Sequence, residues 1–164
     1  MFDEMLLIKA GCSPDVVAHC RAVSKAAVSI AELVSVPLDR ELVRLGGLFH
    51  DIGRARTQGI GHALVGVEIG RELGFPGPLL NIIERHIGSG ISAPEARRLG
   101  LPERDYLPAT PEEKIVSYAD NLTKGSQPMS FESAAERFRE ILGPDHEGIG
   151  LFLAQHREIR GWMK

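Results

Sequence analysis

Apolar side chains recur at three- and four-residue spacings along most of the chain, and β-branched residues do not alternate with polar ones, so the pattern predicts helices. The clearest unit opens at Ser13-Pro14-Asp15, a capping hydroxyl followed by a first-turn proline and acid. It carries Val16, Cys20, Val23, Ala27, Ile30 and Val34 on one face until Pro37 ends it. A second helix begins near Asp39 and repeats Leu42, Leu45, Leu48 and Phe49. Its last turn holds His50 and Asp51, and Gly53 reads as the left-handed residue that stops it.

After a polar loop, 54–61, a third helix runs from about His62 to Leu73 on Leu64, Val67 and Ile69, with Gly74 closing it, and a fourth spans Pro78 to about Ile87. The stretch from Gly88 to Thr110 is rich in glycine, proline and charge. It reads as a surface excursion with one short helix at Ala93 to Leu99 and a possible role as a lid. Thr110-Pro111-Glu112-Glu113 is a capping box that opens a helix carrying Ile115, Val116, Ala119 and Leu122, with Asp120 among them. Two amphipathic helices, from Ser130 to about Leu142 and from Asp145 to Trp162, flank a Gly143-Pro144 break. The expected architecture is all-α in one domain, residues 1–164, with a motif-bearing core over about 14–123 and a helical tail over about 130–162.

Composition narrows this picture. A length of 164 residues suits one core, and 19 basic against 22 acidic side chains give a net charge of −3, so a chain-wide attraction to nucleic acid or anionic lipid is not expected. No apolar run approaches the ~20 residues of a membrane span, and Cys12 and Cys20, in a chain without a recognisable signal peptide, suggest a reducing, cytoplasmic setting. Cys20 reads as core and Cys12 as a loop residue.

The chemistry lies where polar residues stand in apolar company. His19 sits three after Val16 and four before Val23, His50 follows Leu48-Phe49, and Asp120 lies four after Val116. A carboxylate aimed inward must be paired, hydrogen-bonded or metal-bound, and histidine with aspartate is a common ligand set for first-row transition metals. His50 and Asp51 diverge by about 100° on a helix, so they can share one cation only at its end. Asp51 has a second oxygen for a second cation, and His62 and His86, each at a helix terminus, are candidates to complete that site. Alone, His62 also reads as a helix-start residue and His86 as a cation at a helix end. His146 and His156, with polar neighbours, read as surface residues. Gly59-Ile60-Gly61 lacks the Lys-Ser/Thr ending of a phosphate loop.

The order His19, His50-Asp51-Ile52-Gly53, His62, His86, Asp120 resembles the HD superfamily of metal-dependent phosphohydrolases, whose hallmark is the HDIG tetrapeptide. The likeness covers roughly Pro14 to Thr123. It implies a bundle of about five core helices and a first metal held by His19, His50, Asp51 and Asp120. Asp51 would bridge to a second metal held also by His62 and His86. Many members follow the tetrapeptide with lysine, whereas here Arg54 stands in that place and would grip phosphate through a planar fork. Arg56, Arg85, Arg97, Arg98, Arg104 and Lys124 lie near the motifs and read either as added positive potential at the mouth or as solvated charge.

The expected function is hydrolysis of a phosphoester or phosphoanhydride of a small molecule, a nucleotide first of all, by metal-activated water, with Asp51 and Arg54 as catalytic residues and Arg54 also binding substrate. Glu84 or a ligand aspartate is a candidate proton relay. One or two divalent ions are implied, Fe, Mn, Co, Ni or Zn in preference to Mg. Two alternatives share the ligand set: a di-iron oxygenase of similar build and a non-catalytic nucleotide- or metal-binding module. Neither a membrane nor a nucleic-acid partner is expected, and a homo-oligomer stays open.

Overall fold

The computed structural model describes residues 2–164. Helices dominate: α1 (Met5–Ala10), α2 (Pro14–Leu33), α3 (Arg40–Phe49), a single 3-10 turn (Ile52–Ala55), α4 (His62–Glu72), α5 (Gly77–Glu84), α6 (Ala93–Arg98), α7 (Pro111–Asn121), α8 (Phe131–Leu142) and α9 (Glu147–Trp162). Strands β1 (Thr123–Lys124) and β2 (Gln127–Pro128) form a minimal antiparallel hairpin between α7 and α8. Among the described residues no helix is long and apolar enough to cross a membrane.

Helix starts follow their caps. Ser13, Asp39, Ser92, Thr110 and Ser130 each accept a backbone N–H two or three positions into the next helix. At Thr110 the box is reciprocal, because the hydroxyl also donates to Glu113. Buried Glu113 further accepts from Arg85 at 2.8 Å, which ties the end of α5 to the start of α7.

The core bundle is α2, α3, α4, α5 and α7. One cluster joins α2, α3 and α7 to the tail through Val23, Ala27, Val43, Ile115, Val116 and Phe152. A second gathers Leu7, Cys20, Phe49, Ile52, Leu79 and Ile83 beneath the 3-10 turn. Leu42 packs against both.

Four details differ from the sequence reading. The face that α2 buries keeps Cys20, Val23 and Ala27 but adds Val17, Ser24 and Ala31, while Val16 and Ile30 are only half-buried. The cause is Gly46-Gly47 on α3: a Cβ on Gly47 would lie 2.5 Å from the Ser24 Cα, so the two helices meet along small residues. Gly53 is not left-handed; it lies within the 3-10 turn and is required by contact, because a Cβ there would stand 1.8 Å from the His62 carbonyl oxygen. Helix α1 and the β-hairpin were not anticipated. The excursion 88–110 holds the expected short helix but is also packed: Ile91 pairs with Tyr106, and both pack on Ala96 as a small satellite core.

Candidate metal centre

Four imidazoles and two carboxylates converge where α2, α3, α4, α5 and α7 meet. His19 comes from the second turn of α2 and Asp120 from the last turn of α7. His50 follows α3 directly, and Asp51 opens the 3-10 turn. His62 begins α4, and His86 lies two residues past the end of α5. The helix ends are what allow adjacent His50 and Asp51 to face one centre, and the close contact at Gly53 seats the start of α4, with His62, against that turn.

Asp51 divides its two oxygens. Oδ2 lies 3.6 Å from His19 Nε2 and 3.5 Å from His50 Nε2, whereas Oδ1 lies 3.2 Å from His62 Nε2 and 3.1 Å from His86 Nε2. Asp120 Oδ1 completes the first side, 2.9 Å from His19 Nε2 and 3.3 Å from His50 Nε2. The rings are oriented from behind by backbone. His19 donates from Nδ1 to the Gly125 carbonyl at 2.6 Å, His50 to Gly47 at 2.7 Å, His62 to Gly59 at 2.9 Å and His86 to Ile83 at 2.8 Å. With Nδ1 donating to a carbonyl, every Nε2 is directed to the centre, the arrangement that fixes imidazoles as metal ligands once Nε2 is deprotonated.

Two features fit a cation. His50 Nε2 is fully buried without a hydrogen-bond partner, and the Nε2 atoms of His62 and His86 face each other at 3.2 Å. Three groups of these residues, His19 with His50 and Asp51, His50 with His86 and Asp120, and Asp51 with His62 and His86, bring one ligand atom each within 4.8 Å of one another.

Electrostatics reflect the crowding. Burial works against charge on His50, yet the Asp51 and Asp120 carboxylates outweigh it and raise its pKa to about 9. His19 is raised too, its burial outweighed by the hydrogen bond to Asp120. Burial is the largest cause at His86 and lowers it. Both carboxyls are depressed despite burial, chiefly by the His50 charge.

The centre forms the floor of a cavity of about 290 Å³. Arg54 lines its edge and donates from Nε to Asp51 Oδ2 at 3.1 Å, so it braces the carboxylate as well as facing the cavity. The other cations near the motifs mostly turn elsewhere: Arg56 pairs with Glu72, Arg85 with Glu113, Arg98 with Glu95 and Arg104 with Glu84. Glu84, held by Arg104 and absent from the cavity lining, is not placed to relay a proton there. His146 caps α9 and pairs with Glu95, and His156 stacks on Phe131 with ring centroids 3.6 Å apart. Cys12 lies in the loop between α1 and α2, as expected, and is buried there, and Cys20 is core.

Sequence reasoning missed the wall opposite the ligands, where α8 supplies Ala134, Arg137, Phe138 and Ile141. Their 0, 3, 4, 7 spacing was a legible helical face, and an arginine set within it was the available signal. It also missed Asn121, whose amide donates to the Gly88 carbonyl and Ser89 hydroxyl and so fixes the turn at the cavity rim.

A helical bundle that turns four imidazoles and two carboxylates into one cavity defines the class: a helical protein with a histidine–aspartate centre able to hold divalent metal. The HD domain family model matches residues 16–125, about two-thirds of the chain, and the chain belongs to that family. An uncharacterized protein of Methanocaldococcus jannaschii is 48% identical over 167 residues, covering 99% of either chain. The tRNA (cytidine(56)-2'-O)-methyltransferase of Thermoplasma volcanium is 42% identical over 135 residues, which are 82% of this chain. The match spans only 39% of that enzyme's length. Among solved structures, the HD domain of the L. monocytogenes phosphodiesterase PgpH in complex with cyclic-di-AMP superposes with a TM-score of 0.58 at 19% identity, covering 96% of this chain and 94% of that one. That likeness is one of fold.

Proposed function

We propose that the chain is a metal-dependent phosphohydrolase cleaving an ester or anhydride of phosphate in a small molecule, a nucleotide foremost, with two divalent transition ions in its centre. The observation that carries this reading is the division of Asp51, one oxygen toward His19 and His50 and the other toward His62 and His86, behind a cavity bordered by Arg54. His19, His50, Asp51 and Asp120 would hold the first ion, and Asp51, His62 and His86 the second. Four imidazoles favour Fe, Mn, Co, Ni or Zn over Mg. Bound there, such ions supply a water activated to hydroxide near neutral pH and positive charge against the phosphate.

The chain's own groups do the rest. The Nδ1 bonds to four carbonyls hold the imidazoles in place, so little reorganisation is needed on binding. Arg54 fixes Asp51 through Nε and offers the remainder of its guanidinium to a phosphate oxygen. No activated protein nucleophile lines the cavity: both cysteines are buried with thiol pKa values raised by burial, and the Thr123 hydroxyl is engaged with the Ala119 carbonyl. Direct attack by water, without a covalent enzyme intermediate, is the route consistent with this lining. The nucleotide class draws support from the relatives, since one is named for methylating a tRNA cytidine and another is seen with a cyclic dinucleotide.

The test is phosphate release from a panel of nucleotides and other phosphate esters, with Mn, Co, Ni, Fe, Zn or Mg restored singly after chelation. Turnover is expected with a transition ion, and Asp51→Ala should lose bound metal and turnover together, by orders of magnitude. Undiminished turnover in that variant would overturn the mechanism. Iron-dependent oxygen consumption in place of phosphate release would select the oxygenase alternative.

A further inference from the structure

The residues that match the family end at 125, yet the cavity does not. Its outer wall belongs to α8, where Ala134, Arg137, Phe138 and Ile141 fall on one helical face turned toward the ligand cluster. The family portion thus supplies the floor, and a separate element supplies the surface that any group attached to the phosphate must meet.

Three properties define what that surface accepts. It is stiff at its centre, because Phe138 is backed by fully buried Phe152 at 4.9 Å between ring centroids. It is apolar but open, since Ile141 lines the cavity and is 67% exposed. It also holds a cation without a committed partner: among the described residues Arg137 has no ion pair, whereas its neighbour Arg139 faces Glu136. A stiff aromatic, a branched aliphatic and a free guanidinium suit a flat ring, which can rest on the apolar pair while the guanidinium stacks on it. They do not suit a polyol, whose hydroxyls would meet few unused partners, since the Asn121 amide and Thr123 hydroxyl donate within the protein. An acyl chain would need a longer covered channel than this cavity, which at about 290 Å³ falls just short of the roughly 300–1,000 Å³ usual for small-molecule pockets.

Resting on the phosphohydrolase reading, we propose that the face of α8 formed by Arg137, Phe138 and Ile141 is the specificity wall. It holds the nucleobase of a mononucleotide-sized substrate while the phosphate lies against Arg54 and the histidine–aspartate floor. The organic half is selected outside the family motif, and α8 is the element whose change would retarget the enzyme.

The test reads binding of two phosphonates that cannot be hydrolysed, an adenosine 5′-phosphonate and methylphosphonate, to the manganese-loaded protein by calorimetry. The unmutated protein is expected to prefer the nucleoside compound by at least about tenfold, in line with one stacked base. That preference, taken as the ratio of the two affinities, should fall about tenfold in Phe138→Ala and severalfold in Ile141→Ser, whose exposed side chain can change without unfolding α8. Equal affinities in the unmutated protein, no binding of the nucleoside compound, or a ratio unmoved by both substitutions overturns the wall. Absence of phosphate release from any nucleotide, together with a preference that depends on Phe138 and Ile141, overturns the hydrolase reading and leaves the wall standing.

Discussion

At the scale of single residues, Asp51 and the imidazoles around it set the character of the centre. A carboxylate with four Nε2 atoms within 3.6 Å, and with its own side chain 6% exposed, is stable only if positive charge sits beside it. Without metal that charge comes from protons, and His50 holds its proton up to about pH 9. Metal needs the neutral lone pair, so loading must displace protons at any pH below that value. Metal binding at pH 7 in weak buffer is therefore expected to release protons, and affinity should rise with pH until His50 titrates near 9 and then level off. Loading at pH 7 without proton release would show that the imidazoles are already neutral. Three residues of this cluster, His19, His50 and Asp120, were legible in the sequence because they stand where an apolar side chain belongs, whereas Asp51, His62 and His86 were picked out by their place at helix ends and by the tetrapeptide. The backbone carbonyls that orient the rings were not legible, since Gly47, Gly59, Ile83 and Gly125 carry no side-chain signature of that role.

Elements meet at glycines. The 3-10 turn and α4 touch at Gly53, and a methyl group there collides with the His62 carbonyl and with the Gly66 nitrogen, 2.7 Å away. Gly53→Ala should cost ~3 kcal/mol, because backbone atoms cannot swing aside as a flexible side chain can. At this size that corresponds to a melting temperature lower by about 6–12 °C. A melting curve superimposable on that of the unmutated protein would show that the turn and α4 are not locked together. Helix number and boundaries in the bundle were largely readable from caps, as Thr110 and Ser130 show. The full width of the α2 face was not. It depends on which helix presses closest, and Gly46-Gly47 on a different element brings Ser24 into the buried line beside Cys20, Val23 and Ala27. Helix α1, at six residues with one buried side chain, Leu7, was too short to give a period, and the β-hairpin of two residues per strand gives no alternation.

At the scale of the whole molecule, the surface carries many exposed ion pairs and a small net negative charge, while two arginines, Arg54 and Arg137, face the one cavity that contains the ligand cluster. Any anion is thus drawn by local rather than global charge. Whether this cavity holds two metals that share Asp51 is measured most directly by metal stoichiometry. Elemental analysis of the protein loaded with manganese and freed of excess is expected to give about two ions per chain, falling to about one in His62→Ala and in His86→Ala, where His19, His50, Asp51 and Asp120 are untouched, with circular dichroism unchanged. One ion per chain in the unmutated protein, and the same in both variants, would contradict the account.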